Sequence, residues 1–107
     1  MKEPAQEELI EKARSLVGKW IYDKTSPNEY LYAYDYCNYD SMGDTVLECI
    51  AVCDPDNGYD PYVTEKDVWM SEFKEFYRMV KGNKGIRTWE RIKEHYDNKF
   101  KGEKNGE

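Results

Sequence analysis

The segment from residue 29 to residue 39, EYLYAYDYCNY, constrains the fold more than any other part of the chain. Tyrosine recurs at every second position of this segment, and aromatic residues favour strands. Because successive side chains of a strand point to opposite faces of a sheet, the pattern predicts one strand with two distinct faces. The first face holds Tyr30, Tyr32, Tyr34 and Tyr36. The second face holds Leu31, Ala33, Asp35 and Cys37.

The segment that follows is predicted to pair with this strand. Residues 45–53, TVLECIAVC, form the most apolar run of the chain, with Glu48 as its charged interruption, which is typical of a central strand. A short turn that contains Gly43 separates the two segments, so they are predicted to form an antiparallel hairpin. Residues 19–23 are predicted to add a shorter strand.

Apolar residues at helical spacing lie on both sides of these strands. An N-terminal helix is predicted to end at Gly18, and its apolar face holds Leu9, Ile10, Ala13, Leu16 and Val17. The Thr-x-x-acid spacing from Thr64 to Asp67 has the form of a capping box and predicts a second helix, although residues 76–80 also have strand composition. A last helix is predicted to begin at Thr88 as its cap.

These elements predict an α+β fold in a single domain spanning residues 1–101, followed by a frayed tail at residues 102–107. The domain is expected to contain a small antiparallel sheet of about three to four strands, an N-terminal helix and C-terminal helical segments. If residues 76–80 form a strand, the alternative is an SH3-like small barrel with flanking helices.

Charge is distributed very unevenly along the chain, whose net charge is −6. Residues 25–65 contain nine acidic side chains and no lysine or arginine, and they hold seven of the ten tyrosines. Residues 78–104 have the opposite balance, with nine basic side chains against four acidic ones. Such an asymmetry is informative about binding partners.

Tyrosine is common in binding surfaces because it offers a large, rigid contact at low entropic cost. We therefore expect the hairpin to dock on a basic surface of another protein, as an inhibitor or regulator of a nucleic-acid-handling enzyme. In size, charge and composition the chain is similar to small acidic phage-borne inhibitors of restriction or CRISPR enzymes, which implies a phage or mobile-element protein. The predicted anchors are Tyr30, Tyr32, Tyr34 and Tyr36, and the predicted charged rim is Glu29, Asp35, Asp40 and Asp44.

Two other arrangements of the same residues would remove this surface. The tyrosine face could be core, packed beneath the helices, or the basic last helix could neutralise the acidic sheet within the same molecule. The chain would then be a structural or interaction module of unknown ligand. Direct nucleic-acid binding would have to use the last helix, through Arg87, Arg91, Lys93 and Lys99.

Features that would indicate catalysis or a cofactor are few. His95 is the single histidine, and neither a G-x-x-x-x-G-K-[ST] nor a G-x-G-x-x-G motif occurs. The expectation is therefore a protein that is not an enzyme and has no cofactor. Asp54, Asp56 and Glu65 match three positions of a calcium loop, but Gly58 and Tyr59 occupy positions that should supply a ligand and a glycine turn.

The expected compartment is the cytoplasm. The N-terminus is too polar for an export signal, and no apolar run approaches about 18 residues, so no membrane association is expected. Cys37, Cys49 and Cys53 are expected to be reduced thiols. Together with His95 they match no zinc-binding spacing, because a C-x2-C pair is missing, so no metal site is predicted.

Overall fold

The computed structural model describes residues 6–55 and 60–105, with side chains through residue 98. The helices are α1 (Gln6–Leu16), α2 (Met70–Phe76) and α3 (Lys84–Asn105). The strands are β1 (Trp20–Asp23), β2 (Glu29–Tyr39), β3 (Asp44–Cys53), β4 (Tyr62–Trp69) and β5 (Tyr77–Met79). Among the described residues, no helix combines the length and the apolar character needed to span a membrane.

The strands form one open antiparallel sheet in the order β4-β3-β2-β1-β5. This confirms the predicted α+β class and the β2–β3 hairpin, while the number of strands is five. In the described part of the chain β4 and β5 do not pair with each other, so the sheet is open and the barrel alternative is wrong. Helix α3 extends to Asn105, within the segment that was predicted to fray.

Strand β4 lies where the capping-box pattern predicted the start of a helix, and that prediction is wrong. Thr64 and Asp67 both lie inside the strand, which pairs with β3 along its whole length, from Tyr62 opposite Cys53 to Trp69 opposite Val46. The physical reason is non-local. β3 is buried over most of its length, and a buried strand needs hydrogen-bond partners on both of its edges.

The strand composition noted for residues 76–80 corresponds to a short strand that directly follows α2. Helix α2 stops at Phe76, and Tyr77–Met79 then pair with Asp23–Ile21 of β1. The start of the last helix was also predicted too late, because α3 begins at Lys84. Thr88 therefore lies inside the helix and does not cap it. Its hydroxyl donates to the carbonyl of Lys84 at 2.9 Å.

The sheet has two faces, which we call inner and outer. The inner face, which carries Leu31, Ala33, Leu47 and Cys49, is covered by α1 and α2. Ala13 and Leu16 of α1 and Met70 and Phe73 of α2 complete this main core, and Leu9 packs against it. The predicted apolar face of α1 is thus confirmed in part, because Val17 lies beyond the helix and is 36% exposed. Gly18 follows α1 with a positive φ of 87°, as expected for the residue that ends a helix.

The outer face carries the residues that alternate with the inner ones, among them Tyr32, Glu48 and Ile50. Helix α3 packs over one end of this face, where Ile92 and Val52 are both 1% exposed. At the start of α3, Gly85 lies directly against the ring of Trp20. The remainder of the outer face, toward the ends of β2 and β4, is left open by α3, as the exposure of Tyr34 and Tyr39 indicates.

Candidate functional site: the open outer face of the sheet

A β-bulge at Tyr34 decides which tyrosines reach the outer face. Ala33 pairs with Cys49 and Asp35 pairs with the next residue of β3, Glu48, so Tyr34 is an extra residue in β2. The alternation of side chains therefore reverses after the bulge. This places Asp35 on the outer face, although simple alternation had predicted that it shares a face with Leu31 and Ala33.

The same bulge makes the prediction for Tyr36 wrong. Tyr36 is opposite Leu47 and packs against the main core on the inner face, so it does not share a surface with Tyr32 and Tyr34. The Arg14 guanidinium of α1 donates to its hydroxyl at 3.4 Å. Tyr36 is therefore part of the contact between α1 and the sheet.

Four carboxylates surround Tyr34 on the open outer face. Asp35, Glu48 and Asp67 lie opposite one another on the three adjacent strands β2, β3 and β4. Glu65 lies one row away, opposite Ile50. Partial desolvation raises the pKa of the Tyr34 phenol, and the charges of all four carboxylates raise it further. We call Tyr34 and these four residues the acidic patch.

The acidic patch has no neutralising cation among the described side chains, since none of its carboxylates has a lysine, arginine or histidine nitrogen within 4.0 Å. Two described side chains of the basic helix α3 have acidic partners away from the patch. Arg91 Nε lies 3.1 Å from Asp54, and His95 Nε2 lies 3.9 Å from Asp60, both in the connection between β3 and β4. Both of these contacts of α3 are therefore directed at the loop.

Aromatic pairs flank the acidic patch on two sides. The rings of Trp20 and Tyr32 are 5.3 Å apart, and those of Tyr39 and Trp69 are 5.4 Å apart. Tyr32, Tyr34 and Tyr39 are 37%, 44% and 43% exposed, so these rings are not sealed beneath the helices. Tyr30 lies opposite Val52 and is half-buried at the end of the face that α3 covers.

The other residues of the predicted rim lie outside this face. Glu29 is opposite Cys53 on the inner side, where it accepts a 3.1 Å hydrogen bond from Lys66. Asp40 is exposed in a short 3-10 helix between β2 and β3. Asp44 is buried and bound within the fold, because its carboxylate accepts from the backbone N–H of Thr45 and from both the N–H and hydroxyl of Ser71.

Asp44 is buried because it binds the first turn of α2. Ser71 lies in the first turn of α2, where backbone N–H groups have no partner inside the helix. The bonds from Asp44 to Ser71, at 3.2 Å to the N–H and 2.6 Å to the hydroxyl, supply that partner from a distant strand. Asp44 therefore anchors α2 to the sheet.

Several outer-face residues were missed by reasoning from the sequence. Glu48, Glu65 and Asp67 form most of the acidic patch, and Tyr39 and Trp69 form one of its aromatic borders. The signal was present in residues 62–69, where Glu65, Asp67 and Trp69 alternate with Lys66 and Val68. Reading this segment as a helix hid the alternation.

Lys66 links Glu29 and Asp23 on the inner face, and this network predicts a pH dependence of stability. Burial raises the pKa of Asp23, but hydrogen bonds from Thr25 and the charge of Lys66 outweigh it, so the net pKa lies below its usual 3.8. A depressed folded-state pKa gives stability that is complete above the unfolded-state value and is lost as the pH falls through the folded-state value. Below about pH 4 we therefore expect the free energy of unfolding of the wild-type chain to fall more steeply with pH than that of the Asp23→Asn variant.

Urea unfolding of both proteins from about pH 6 to about pH 2 measures this difference. The variant replaces the titrating carboxyl group with an amide of similar shape, so other acidic groups contribute equally to both curves. Parallel curves would contradict the assignment of the network.

The partial calcium-loop match at residues 54–65 is not supported by the described residues. Asp54 is paired with Arg91, and Glu65 lies in a strand, whereas the last ligand of such a loop begins a helix. Asp56, Gly58 and Tyr59 lie outside the described residues. Within the described residues, no group of three or more His, Cys, Asp or Glu side chains is placed to hold a metal ion.

The cysteines are free thiols in different environments. Cys37 is exposed, whereas Cys49 and Cys53 are buried. Desolvation raises the pKa of Cys49 to about 12, with a further contribution from the charge of Asp67. Because the thiolate is the reactive form, Cys49 is inert near neutral pH.

Comparison with known proteins identifies no relative. No protein-family model, curated protein or solved structure matches the chain. The physical properties of the open outer face are therefore the features that indicate a function.

Proposed function

We propose that this chain is a non-catalytic binding protein whose open outer face docks on a basic surface of a partner protein. The single observation that carries the proposal is the acidic patch itself. Tyr34 stands among four carboxylates that have no cation within 4.0 Å among the described side chains. A surface of this kind repels nucleic acid and attracts lysine- and arginine-rich proteins.

The aromatic residues supply apolar contact area, which the carboxylates do not provide. Tyr34 and the exposed parts of Tyr32 and Tyr39 are rigid amphipathic rings, which are typical anchors in protein interfaces. The carboxylates around them would speed the encounter and orient it, while the rings would provide most of the binding energy.

The most concrete partner is an enzyme that handles nucleic acid in the cytoplasm. Asp35, Glu48 and Asp67 stand on three adjacent strands, which places negative charges about 5 Å apart across the sheet. Nucleic acids likewise present a dense row of negative charges. A groove built to hold phosphates would therefore attract this face, and the bound chain would inhibit the enzyme by occupying that groove.

Affinity capture from the native host, followed by binding measurements on the purified captured protein, tests the proposal. The face variant is Glu48→Gln/Glu65→Gln/Asp67→Asn. The matched control is Glu75→Gln/Glu90→Gln/Glu94→Gln, which removes the same number of charges from exposed sites on α2 and α3. We expect the face variant to bind at least about tenfold more weakly and the control to bind like the wild type.

The captured protein should also be displaced from DNA or RNA by the wild-type chain, and binding should weaken with salt. Equal losses in both variants would show that only net charge matters, which would overturn the role of this face. A shift of labelled DNA or RNA by the chain itself would instead support binding through the basic helix α3.

A further inference from the structure

Strand β4 forms one free edge of the sheet. It pairs with β3 on one side, and no described strand pairs with its other side. The opposite edge, β5, has three residues, whereas β4 has eight. An exposed edge of that length presents a row of unpaired backbone N–H and C=O groups, which is a template for another strand.

The charges of β4 do not protect this edge in the usual way. An exposed lysine on an edge strand normally discourages pairing, but Lys66 is directed along the inner face to Glu29 at 3.1 Å and Asp23 at 3.9 Å. The outward charges of β4 are those of Glu65 and Asp67. An antiparallel second copy centred on Lys66 would place Glu65 opposite the copy's Asp67, and like charges directly opposite are destabilising.

The two ends of the edge offer apolar contacts on the outer face. At one end Val63 lines a groove of about 410 Å³ together with Trp89, Ile92 and Tyr96 of α3. At the other end Trp69 pairs with Tyr39. Val63, Glu65, Asp67 and Trp69 therefore form one row along the outer side of the edge, apolar at both ends and acidic in the middle.

We propose that β4 accepts an extended segment of a partner protein as a sixth strand of the sheet. The row along β4 selects a segment whose alternate side chains are apolar, basic, basic and apolar, with the basic pair over Glu65 and Asp67. Backbone hydrogen bonds hold the segment, and the alternate side chains give specificity. This inference rests on the proposed function, because it names how the basic partner is held.

A synthetic peptide is the probe, with acetylated and amidated ends, in which valine, lysine, lysine and leucine alternate with threonine. We expect it to bind the full chain at low salt, and to bind Glu65→Gln/Asp67→Asn at least about tenfold more weakly. A peptide with glutamate in place of lysine is expected not to bind. Hydrogen exchange should show new protection of β4 amides when the lysine peptide is present.

N-methylation of the peptide separates strand addition from attraction by charge. One form is methylated on the valine, lysine and leucine amides and the other on the threonine amides, so each blocks one edge of the peptide strand. We expect one form to lose binding at least about tenfold and the other to retain it, because a single peptide edge faces β4.

The outcomes distinguish this inference from the proposed function. If both methylated forms bind like the parent peptide while Glu65→Gln/Asp67→Asn still weakens binding, strand addition is wrong and docking of the outer face stands. If the lysine peptide binds no better than the glutamate peptide, the inference is overturned, and the capture experiment decides the proposed function separately. A chain that dimerises through β4 in sedimentation experiments would identify a second copy as the occupant and would also overturn it.

Discussion

Replacing Gly85 with alanine is expected to lower the free energy of unfolding by about 1 to 3 kcal/mol, although alanine is the better helix former. Gly85 lies near the start of α3, where a Cβ atom would stand 2.5 to 2.8 Å from the Cδ2, Cε3 and Cγ atoms of Trp20. The Trp20 ring is half-buried and lies beside Tyr32, so it has little room to retreat. The overlap should therefore outweigh the gain of about 1 kcal/mol in helix propensity.

Urea unfolding of Gly85→Ala, Trp20→Leu and the double variant measures this contact. If overlap is the cause, the alanine should be tolerated once the indole ring is smaller, so the two effects should be clearly non-additive. Arg87→Ala, on the exposed side of the same helix, is the control and should change stability by less than about 0.5 kcal/mol. A Gly85→Ala chain as stable as the wild type would show that α3 can move away from the sheet.

Replacing Tyr34 with alanine is expected to weaken binding of the captured partner by about 2 kcal/mol or more, which is roughly a thirtyfold rise in Kd, while leaving the fold intact. Tyr34 stands at the centre of the acidic patch and is 44% exposed. As the extra residue of a bulge it has no Cα partner on β3, so its truncation removes contact area without opening the core.

Tyr36→Ala is the matched comparison, since it changes the same residue type two positions along the same strand. Tyr36 packs against the core on the inner face, so its loss should destabilise the fold by about 1 to 3 kcal/mol. Calorimetric titration for binding and urea unfolding for stability give both values. The assignment of faces would be contradicted if Tyr34→Ala were the less stable chain.

The local parts of this fold are predictable from the sequence. Strand β2 follows from its tyrosine alternation, β3 from its apolar run, and α1 from its helical stripe and Gly18. β4 is not predictable in this way, because residues 64–80 combine a capping-box spacing with aromatic residues at helical intervals. The need of β3 for a partner on its second edge decides in favour of a strand, and that need depends on residues far away in sequence.

The candidate site is predictable as a region but not as a set of residues. The lysine-free block from residue 25 to residue 65 correctly indicates an acidic, tyrosine-bearing sheet surface. Which tyrosines and carboxylates face outward depends on strand register, and the bulge at Tyr34 has no glycine or proline to signal it. Asp67, outside that block, joins the acidic patch through pairing with β3 alone.

The bulge at Tyr34 also bears on how this chain tolerates changes in length. Ala33 and Asp35 already pair with consecutive residues of β3, so excising Tyr34 would leave a regular hairpin with every remaining side chain on its present face. Deleting Ala33 or Asp35 instead would also restore a regular hairpin, but Tyr34 would then take the place of the deleted residue opposite β3. Homologous chains should therefore show single-residue gaps at this point more readily than elsewhere in the sheet, and those that carry the gap should lack the central ring of the acidic patch.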